Sequence, residues 1–327
     1  MFSLKKLMAI NKTNDFLSNS EVNNHLQHII DRKLFSNGYI FSGTEGLGKK
    51  KAAIEFAKAL FKQFSSSKNI EEKISNNNHP DFLEVKPQSF IKSKIKTDSE
   101  LEKSKKSNAD VIKIDQIRVI KNFLSQKSIE SEKKIVLIYE AHCMNEAASN
   151  CLLKTLEEPC NGIIILLTSK LNFLLDTIKS RCQIIRFKSF STKSLEEFFE
   201  NNQDSSTLKI NQKINFQDLV NSANGSPGQI INNLDIWNEL PNEIINQLDS
   251  PLTDYLEILK LAKLISEKLE IFQQTYLVNL IQQIWWRKTR NASLVKKLET
   301  LKSQLKNKIQ PRLAWEVSLL KIAIEDT

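Results

Sequence analysis

The stretch that decides the fold reads Phe41-Ser42-Gly43-Thr44-Glu45-Gly46-Leu47-Gly48-Lys49-Lys50. It contains three of the chain's 7 glycines, Gly43, Gly46 and Gly48. Their spacing is the G-x-x-x-x-G-K pattern of a phosphate-binding loop, in which glycines let backbone N–H groups converge on phosphate oxygens. Lys49 stands where the lysine of this pattern contacts the outer phosphates. The alternative is a glycine-rich turn that binds nothing.

The metal-binding part of the pattern is missing. Lys50 stands where a Ser or Thr hydroxyl normally ligates Mg²⁺. The apolar run 135–138 leads into Tyr139 and Glu140, so a tyrosine replaces the acid that holds the metal in phosphate-loop ATPases, while Glu140 remains. An ammonium about 4 Å from Mg²⁺ would cost about 8 kcal/mol at an effective dielectric constant of about 20. The sequence therefore predicts a loop that cradles phosphate without supplying a metal ligand.

Strand-like and helix-like segments alternate through residues 1–190. The predicted strands are 39–42, 81–85, 134–139, 162–168 and 183–187, and the predicted helices between them include 51–64 and 145–158. Continuous apolar runs such as 162–168 are typical of central strands covered on both faces. The alternation predicts an α/β domain with a parallel sheet and flanking helices.

Two polar segments interrupt this order. Residues 65–78 and 88–108 are rich in Ser, Lys and Asn, and we expect mobile surface insertions there. The second is lysine-rich, so it is either a DNA contact or a solvated loop. From residue 191 on, amphipathic helices alone are predicted, at 194–201, 216–223, 229–237, 254–269, 271–287, 293–306 and 312–324. We expect domain boundaries near residues 190 and 240.

Composition narrows the class of protein. The 327 residues carry a net charge of +9, which suits a nucleic-acid partner and equally suits a solvated lysine-rich surface. No apolar run approaches the roughly 18 residues of a membrane span, and residues 1–10 are too short and too lysine-interrupted for a secretory signal. The four cysteines match no zinc-binding spacing, which favours reduced thiols in a cytoplasmic protein.

Several motifs occur in a family-specific order. They are the loop at Gly43, His79-Pro-Asp81, Ile114-Asp-Gln-Ile-Arg118, Tyr139-Glu-Ala-His142, Met144-Asn-Glu-Ala-Ala148, Leu152-Leu-Lys-Thr-Leu-Glu-Glu-Pro159 and Ser180-Arg-Cys182. Together they resemble the bacterial clamp-loader family of AAA+ proteins, strongly over residues 14–190. Beyond that the resemblance rests on Gly225-Ser-Pro-Gly228, Pro311-Arg312 and Trp315.

This resemblance implies a RecA-like AAA+ domain over 1–190, a small helical lid over 191–240 and a helical oligomerisation collar over 241–327. It implies a stationary ring subunit with a degenerate loop at Gly43, Gly46, Gly48, Lys49 and Lys50. ATP and Mg²⁺ would then act at the neighbouring subunit's site, and weak passive nucleotide binding here stays open. The resemblance further implies that Thr168 matches a polar sensor and that Gln229 replaces a nucleotide-sensing arginine. We expect no cofactor, and no zinc because residues 61–79 contain no cysteine.

The resemblance assigns the sharpest role to Arg181. Within the motif Ser180-Arg181-Cys182, it implies that Arg181 reaches in trans into the ATP site of the neighbouring ATPase subunit. The alternative is that Arg181 caps a helix carboxyl terminus or pairs with an acid. The implied partners are clamp-loader δ and γ/τ subunits, the sliding clamp and, through the complex, primer-template DNA, at the nucleoid-associated replisome in the cytoplasm and without a membrane.

Two other functions remain as alternatives. An active AAA+ ATPase of the γ/τ clamp-loader type needs Ser or Thr at position 50 and Asp at position 139, and this chain has Lys50 and Tyr139. A metabolic phosphate-loop enzyme such as a kinase would not need a Ser-Arg-Cys motif or a helical carboxyl-terminal domain.

Overall fold

A five-stranded parallel sheet forms the centre of the first half of the chain. The computed structural model describes residues 19–64, 69–76, 78–88, 111–158, 161–201, 216–248, 251–252, 254–307 and 309–325. The chain divides into two compact units, Met1–Ser189 and Phe190–Thr327. The strand order is β2-β3-β4-β1-β5. The strands are β1 (Gly38–Ser42), β2 (Phe82–Val85), β3 (Lys134–Ile138), β4 (Gly162–Thr168) and β5 (Gln183–Arg186).

The three middle strands form the core because most of their side chains are apolar on both faces. Every residue of β1, β3 and β4 is buried, as expected for parallel strands between two helical layers. Pairing of Ser42 with Thr168 and of Ile138 with Leu166 aligns the carboxyl ends of these strands. The segments that follow β1, β3 and β4 therefore meet at one edge of the sheet.

Helices of the first unit follow the predicted alternation. They are α1 (Ser20–Asp31), α2 (Lys49–Phe64), α3 (Ile70–Ser75), α4 (Ile114–Ser125), α5 (Glu146–Glu157) and α6 (Asp176–Lys179). The sequence did not predict α3, which lies inside the supposed insertion 65–78. Its Ile70 and Ile74 are buried, and Lys73 pairs with Glu130 at 2.7 Å, so this part of the segment belongs to the folded unit. Residues 65–68 and 77 and most of the predicted 88–108 insertion lie outside the described residues.

A buried carboxylate organises the turn between α4 and β3. Asp81 is fully buried and accepts hydrogen bonds from the backbone N–H groups of Ile129, Glu130 and Ser131 at 2.7–3.0 Å. The Ser131 hydroxyl donates a further bond at 3.3 Å. These bonds hold the pKa of Asp81 below its usual value, although burial acts to raise it. The His-Pro-Asp motif thus fixes the entry to the central strand β3.

The second unit is helical throughout its described part. Its helices are α7 (Thr192–Asn201), α8 (Phe216–Ser222), α9 (Pro227–Glu239), α10 (Asn242–Gln247), α11 (Tyr255–Lys268), α12 (Ile271–Thr289), α13 (Ala292–Lys306) and α14 (Pro311–Glu325). Trp285 and Trp315 are fully buried, and their indole N–H groups donate to Leu248 O at 2.9 Å and Gln274 Oε1 at 3.0 Å. The predicted fold class, an α/β domain followed by helices, is confirmed.

The predicted boundary near residue 240 runs through contacts inside the second unit. Arg287 of α12 pairs with Asp218 of α8 at 3.1 Å. The separation of a lid over 191–240 from a collar over 241–327 therefore stays a prediction. Among the helices that the structure describes, none has the length and apolarity needed to cross a membrane.

Candidate functional site

The phosphate loop joins β1 to α2 at the carboxyl edge of the sheet. Gly46 and Gly48 have φ values of 78° and 81°, a left-handed region that disfavours other residues. A Cβ at Gly48 would meet no atom within 4 Å, so the loop faces open space there. Gly43 is needed for a different reason, since a Cβ there would lie 2.7 Å from the carbonyl oxygen of Phe187. The loop and the amino terminus of the 16-residue α2 fit a phosphate group.

Lys49 lies inside the loop. Its side chain is almost completely buried, and its ammonium donates to the carbonyl oxygens of Gly43 and of Thr44, the latter at 2.6 Å. Burial lowers the pKa of Lys49, and the nearby carboxylates Glu140 and Glu45 act against that shift. The cation of the phosphate-loop pattern is therefore present and held next to the glycines.

The two positions that should hold a metal contact each other instead. The Lys50 ammonium lies 5.5 Å from the ring centroid of Tyr139, and the Lys86 ammonium lies 4.9 Å from the same centroid. Such distances are typical of cation–π contacts. An ammonium and a phenol offer no oxygen anion to Mg²⁺, so neither Lys50 nor Tyr139 fits a metal ion as a ligand.

Glu84 completes this cluster, and sequence reasoning missed it. The Tyr139 hydroxyl donates to Glu84 Oε1 at 2.6 Å, and Lys86 donates to Oε2 at 2.6 Å. Burial acts to raise the pKa of Glu84, but the bonds from Lys86 and Tyr139 outweigh it and the pKa is lowered. Burial together with the Glu84 bond raises the pKa of Tyr139, which stays a neutral phenol. The available signal was a glutamate inside the apolar strand β2, but pairing of β2 with β3 is not visible in sequence.

A second polar network surrounds Glu140, whose carboxylate acts electrostatically on Lys49. Glu140 has left-handed backbone angles (φ 44°, ψ 52°), and its Oε2 is 3.4 Å from both His142 Nδ1 and Ser169 Oγ. Thr168 Oγ1 is 3.3 Å from His142 Nδ1 and accepts from Lys170 N at 3.1 Å. Burial lowers the pKa of His142. The predicted residues Glu140 and Thr168 thus both contact His142, a residue that the sequence favours as structural rather than as a ligand.

A cleft of about 470 Å³ opens beside the loop, between the segments that follow β1, β4 and β5. It is lined by Ser42, Gly43, Thr44, Ser169, Lys170, Leu171, Asn172, Phe173, Phe187 and Ser189. The space next to Gly43 and Thr44 is therefore open to solvent-borne groups.

Arg181 lies at the opposite edge of the sheet. The adjoining Cys182 packs against the amino end of β1, because a Cβ on Gly38 would come within 2.6 Å of the Cys182 sulfur. Burial raises the pKa of the Cys182 thiol to about 12, so this cysteine is an inert packing residue. Strand β1 separates the two edges by about 13 Å at about 3.3 Å per residue. Arg181 is therefore remote from the phosphate loop of its own chain.

The contacts of Arg181 match the alternative interpretation of its role. One nitrogen pairs with Glu157 Oε1 at 2.7 Å, and another donates to Thr177 O in α6 at 3.1 Å. Ser180 also donates its hydroxyl to Thr177 O, at 3.0 Å. The Arg181 side chain is 39% exposed and that of Glu157 is 53% exposed. An exposed pair of this kind contributes only about 0–1 kcal/mol, so Arg181 can leave it at little cost.

Two family models match the chain. One, described as "DNA polymerase III, delta subunit", covers residues 18–191, which is more than half of the chain. The other, described as "Cyanobacterial DNA polymerase III delta prime, C-terminal domain", covers residues 194–322.

The sequence is also similar to known DNA polymerase III subunits. The chain is 32% identical over 178 residues to the DNA polymerase III subunit delta' of Bacillus subtilis, covering 53% of this chain and 48% of that protein. It is 31% identical over 158 residues to the delta' subunit of Pseudomonas aeruginosa, covering 46% and 43%. It is 27% identical over 280 residues to the tau subunit of Bacillus subtilis, covering 81% and 45%. These matches span slightly less than half the length of each relative.

A solved structure agrees at the level of the fold. A DNA polymerase III gamma subunit-related protein from Thermotoga maritima superposes with a TM-score of 0.53 at 18% identity, covering 92% of this chain and 99% of that one. Because the first family model covers more than half of the chain and the second covers most of the remainder, this chain belongs to the DNA polymerase III delta and delta-prime subunit family.

Proposed function

We propose that this protein is a δ′-type subunit of a DNA polymerase III clamp loader that does not itself hydrolyse ATP. It would help to load the sliding clamp on primed DNA as part of the DNA polymerase III holoenzyme in the cytoplasm. The observation that carries the proposal is the contact of Lys50 with Tyr139, 5.5 Å from ammonium to ring centroid, at the two positions that a Mg²⁺-dependent ATPase uses for its metal. Both ligands are replaced, and the replacements pack together.

The second part of the proposal concerns Arg181. This arginine would act in trans, contacting ATP bound by a neighbouring γ/τ-type subunit, with Ser180 and Cys182 setting its position. Its distance from the phosphate loop of its own chain and its weak, exposed pairing with Glu157 support this role. The further partners in this proposal are the δ subunit, the sliding clamp and, through the complex, primer-template DNA.

Turnover by the purified protein tests the first part. Phosphate release from ATP and Mg²⁺ is expected to match that of the Lys49→Ala variant, because neither protein positions a metal ion. Thermal unfolding curves would verify that the variant is folded. Sustained hydrolysis that disappears in Lys49→Ala would contradict the proposal and favour an active ATPase of the γ/τ type.

Glu157→Gln separates the two interpretations of Arg181. If Arg181 acts in trans, its bond to Glu157 must break in the complex, so the variant is expected to keep or raise ATP turnover of the reconstituted clamp loader. Its free energy of unfolding should change by less than about 1 kcal/mol, because the pair is exposed. Glu158→Gln, which breaks an equally exposed pair with Lys121, is the matched control. A loss of turnover in Glu157→Gln as large as that in Arg181→Ala would mean that turnover depends on the intact Arg181–Glu157 pair.

A further inference from the structure

Lys50 brings a cation to the position at which the phosphate-loop pattern has a metal-binding hydroxyl. The Tyr139 ring positions its ammonium, and Lys86 approaches the same ring. Lys50 also contributes to lowering the pKa of Glu84, yet Glu84 uses one oxygen for the Tyr139 hydroxyl and the other for Lys86. The charge of Glu84 is therefore shared among several donors. Lys50 itself is exposed at the first turn of α2, one residue after the buried Lys49.

The phosphate-binding half of the site is intact. The loop and the start of α2 form an anion-binding concavity. Gly46 and Gly48 have positive φ values, the space at Gly48 is open, and the buried Lys49 supplies a cation. A lysine ammonium is a compact point charge with three donors on a flexible stem. From the first turn of α2, Lys50 can turn from the Tyr139 ring toward the oxygens of a phosphate chain held by the loop.

We propose that this loop binds a nucleoside di- or triphosphate as the metal-free anion, with the Lys50 ammonium taking the charge-neutralising place of Mg²⁺. This inference rests on the proposed function, since it assigns a ligand to a site that carries out no turnover. Lys49 and the loop amides hold the inner and outer phosphates, and Lys50 meets the oxygens that Mg²⁺ would otherwise bridge. A magnesium-bound nucleotide fits poorly because the Lys50 ammonium repels the Mg²⁺ ion and offers it no ligand oxygen.

The expected metal dependence is the reverse of that of an ordinary phosphate-loop protein. Fluorescence anisotropy of a fluorescently labelled ADP or ATP with the purified full chain should give a Kd about tenfold lower in EDTA than in excess Mg²⁺ at equal ionic strength. Tenfold corresponds to about 1.4 kcal/mol, a small part of the repulsion between an ammonium and a close divalent ion.

Variants assign the effect to one side chain. Lys50→Thr should weaken binding in EDTA about tenfold, and Lys49→Ala should weaken it at least as much. Lys51→Thr, which removes the same charge one residue along α2, should bind like the unaltered chain because adjacent helical residues point about 100° apart. Thermal unfolding curves confirm that each variant is folded.

Three results would overturn the inference. They are tighter binding with Mg²⁺ than with EDTA, an equal loss of affinity in Lys51→Thr and Lys50→Thr, and no binding in either buffer. The last of these leaves the proposed function intact. Phosphate release is measured in the Mg²⁺ samples, because hydrolysis there would contradict the proposed function as well.

Discussion

Replacing Arg181 with alanine is expected to lower ATP turnover at the neighbouring subunit's site about 10³-fold or more in a reconstituted clamp loader. An arginine supplied in trans stabilises the charge that develops on the transferred phosphoryl group, and its removal typically costs about 10³–10⁵ in rate. The measurement is DNA-stimulated ATP hydrolysis by a complex in which any other ATPase subunits carry an inactivated phosphate loop. Turnover then reports the one site at which Arg181 is proposed to act.

One control for this experiment is a second substitution at Arg181, and the other is an arginine at the carboxyl end of β5. Arg181→Lys keeps the charge but loses the planar fork of donors, so it should recover only a small part of the rate. Arg186→Ala removes an exposed arginine at the other end of β5 and should leave turnover unchanged. Assembly of each complex is checked by gel filtration, because a complex that fails to form also fails to hydrolyse. Full turnover in an assembled Arg181→Ala complex would contradict the trans role.

The fold was largely predictable because its central strands are buried at every position and apolar at most of them. Residues 162–168 were predicted as a strand and form β4 with the same bounds, since no amphipathic alternative competes for that run. Helix α3 was missed because its two buried isoleucines lie within a run of Ser, Lys and Asn. What fixes α3 is distant in sequence, such as the pairing of Lys73 with Glu130. Contacts of that kind leave no local pattern.

Some residues of the candidate site could be predicted from the sequence, and others could not. The loop glycines and Lys49 form a local pattern, so their convergence followed from the sequence. The sequence also shows that Lys50 and Tyr139 both depart from the pattern. Their contact was not predictable, because it depends on the sheet order, which places the end of β3 near the loop. Glu84 and Lys86 join them only because β2 pairs with β3 in a register that puts Glu84 opposite Leu137, two residues before Tyr139. The pairing of Arg181 with Glu157 likewise joins two segments that are distant in sequence, the end of α5 and the turn after α6.

Asp81→Asn is expected to be the most destabilising single substitution of similar shape in the first unit. Asp81 is fully buried and accepts three backbone bonds and one hydroxyl bond in the turn before β3. A hydrogen bond to a charged group contributes about 1.5–3 kcal/mol, and a buried donor left unpaired costs about 1–3 kcal/mol. An asparagine keeps one acceptor oxygen but turns an NH₂ group toward backbone N–H donors. We expect a loss of about 3 kcal/mol or more.

Urea unfolding followed by circular dichroism measures this loss, with Asp115→Asn as the matched control because Asp115 is exposed and pairs with Arg118 at the surface. The pKa of Asp81 is lowered on folding, so its contribution is fully present above the unfolded-state pKa of about 3.9 and is lost as the pH falls through the lower folded-state value. The stability difference between the unaltered chain and Asp81→Asn should therefore be constant from pH 7 to about pH 5 and shrink below about pH 4.

Backbone amides of Ile129, Glu130 and Ser131 should exchange hydrogen faster in the variant. A variant as stable as Asp115→Asn, with those amides still protected, would mean that the turn before β3 is held by its own backbone and by the sheet rather than by the Asp81 carboxylate.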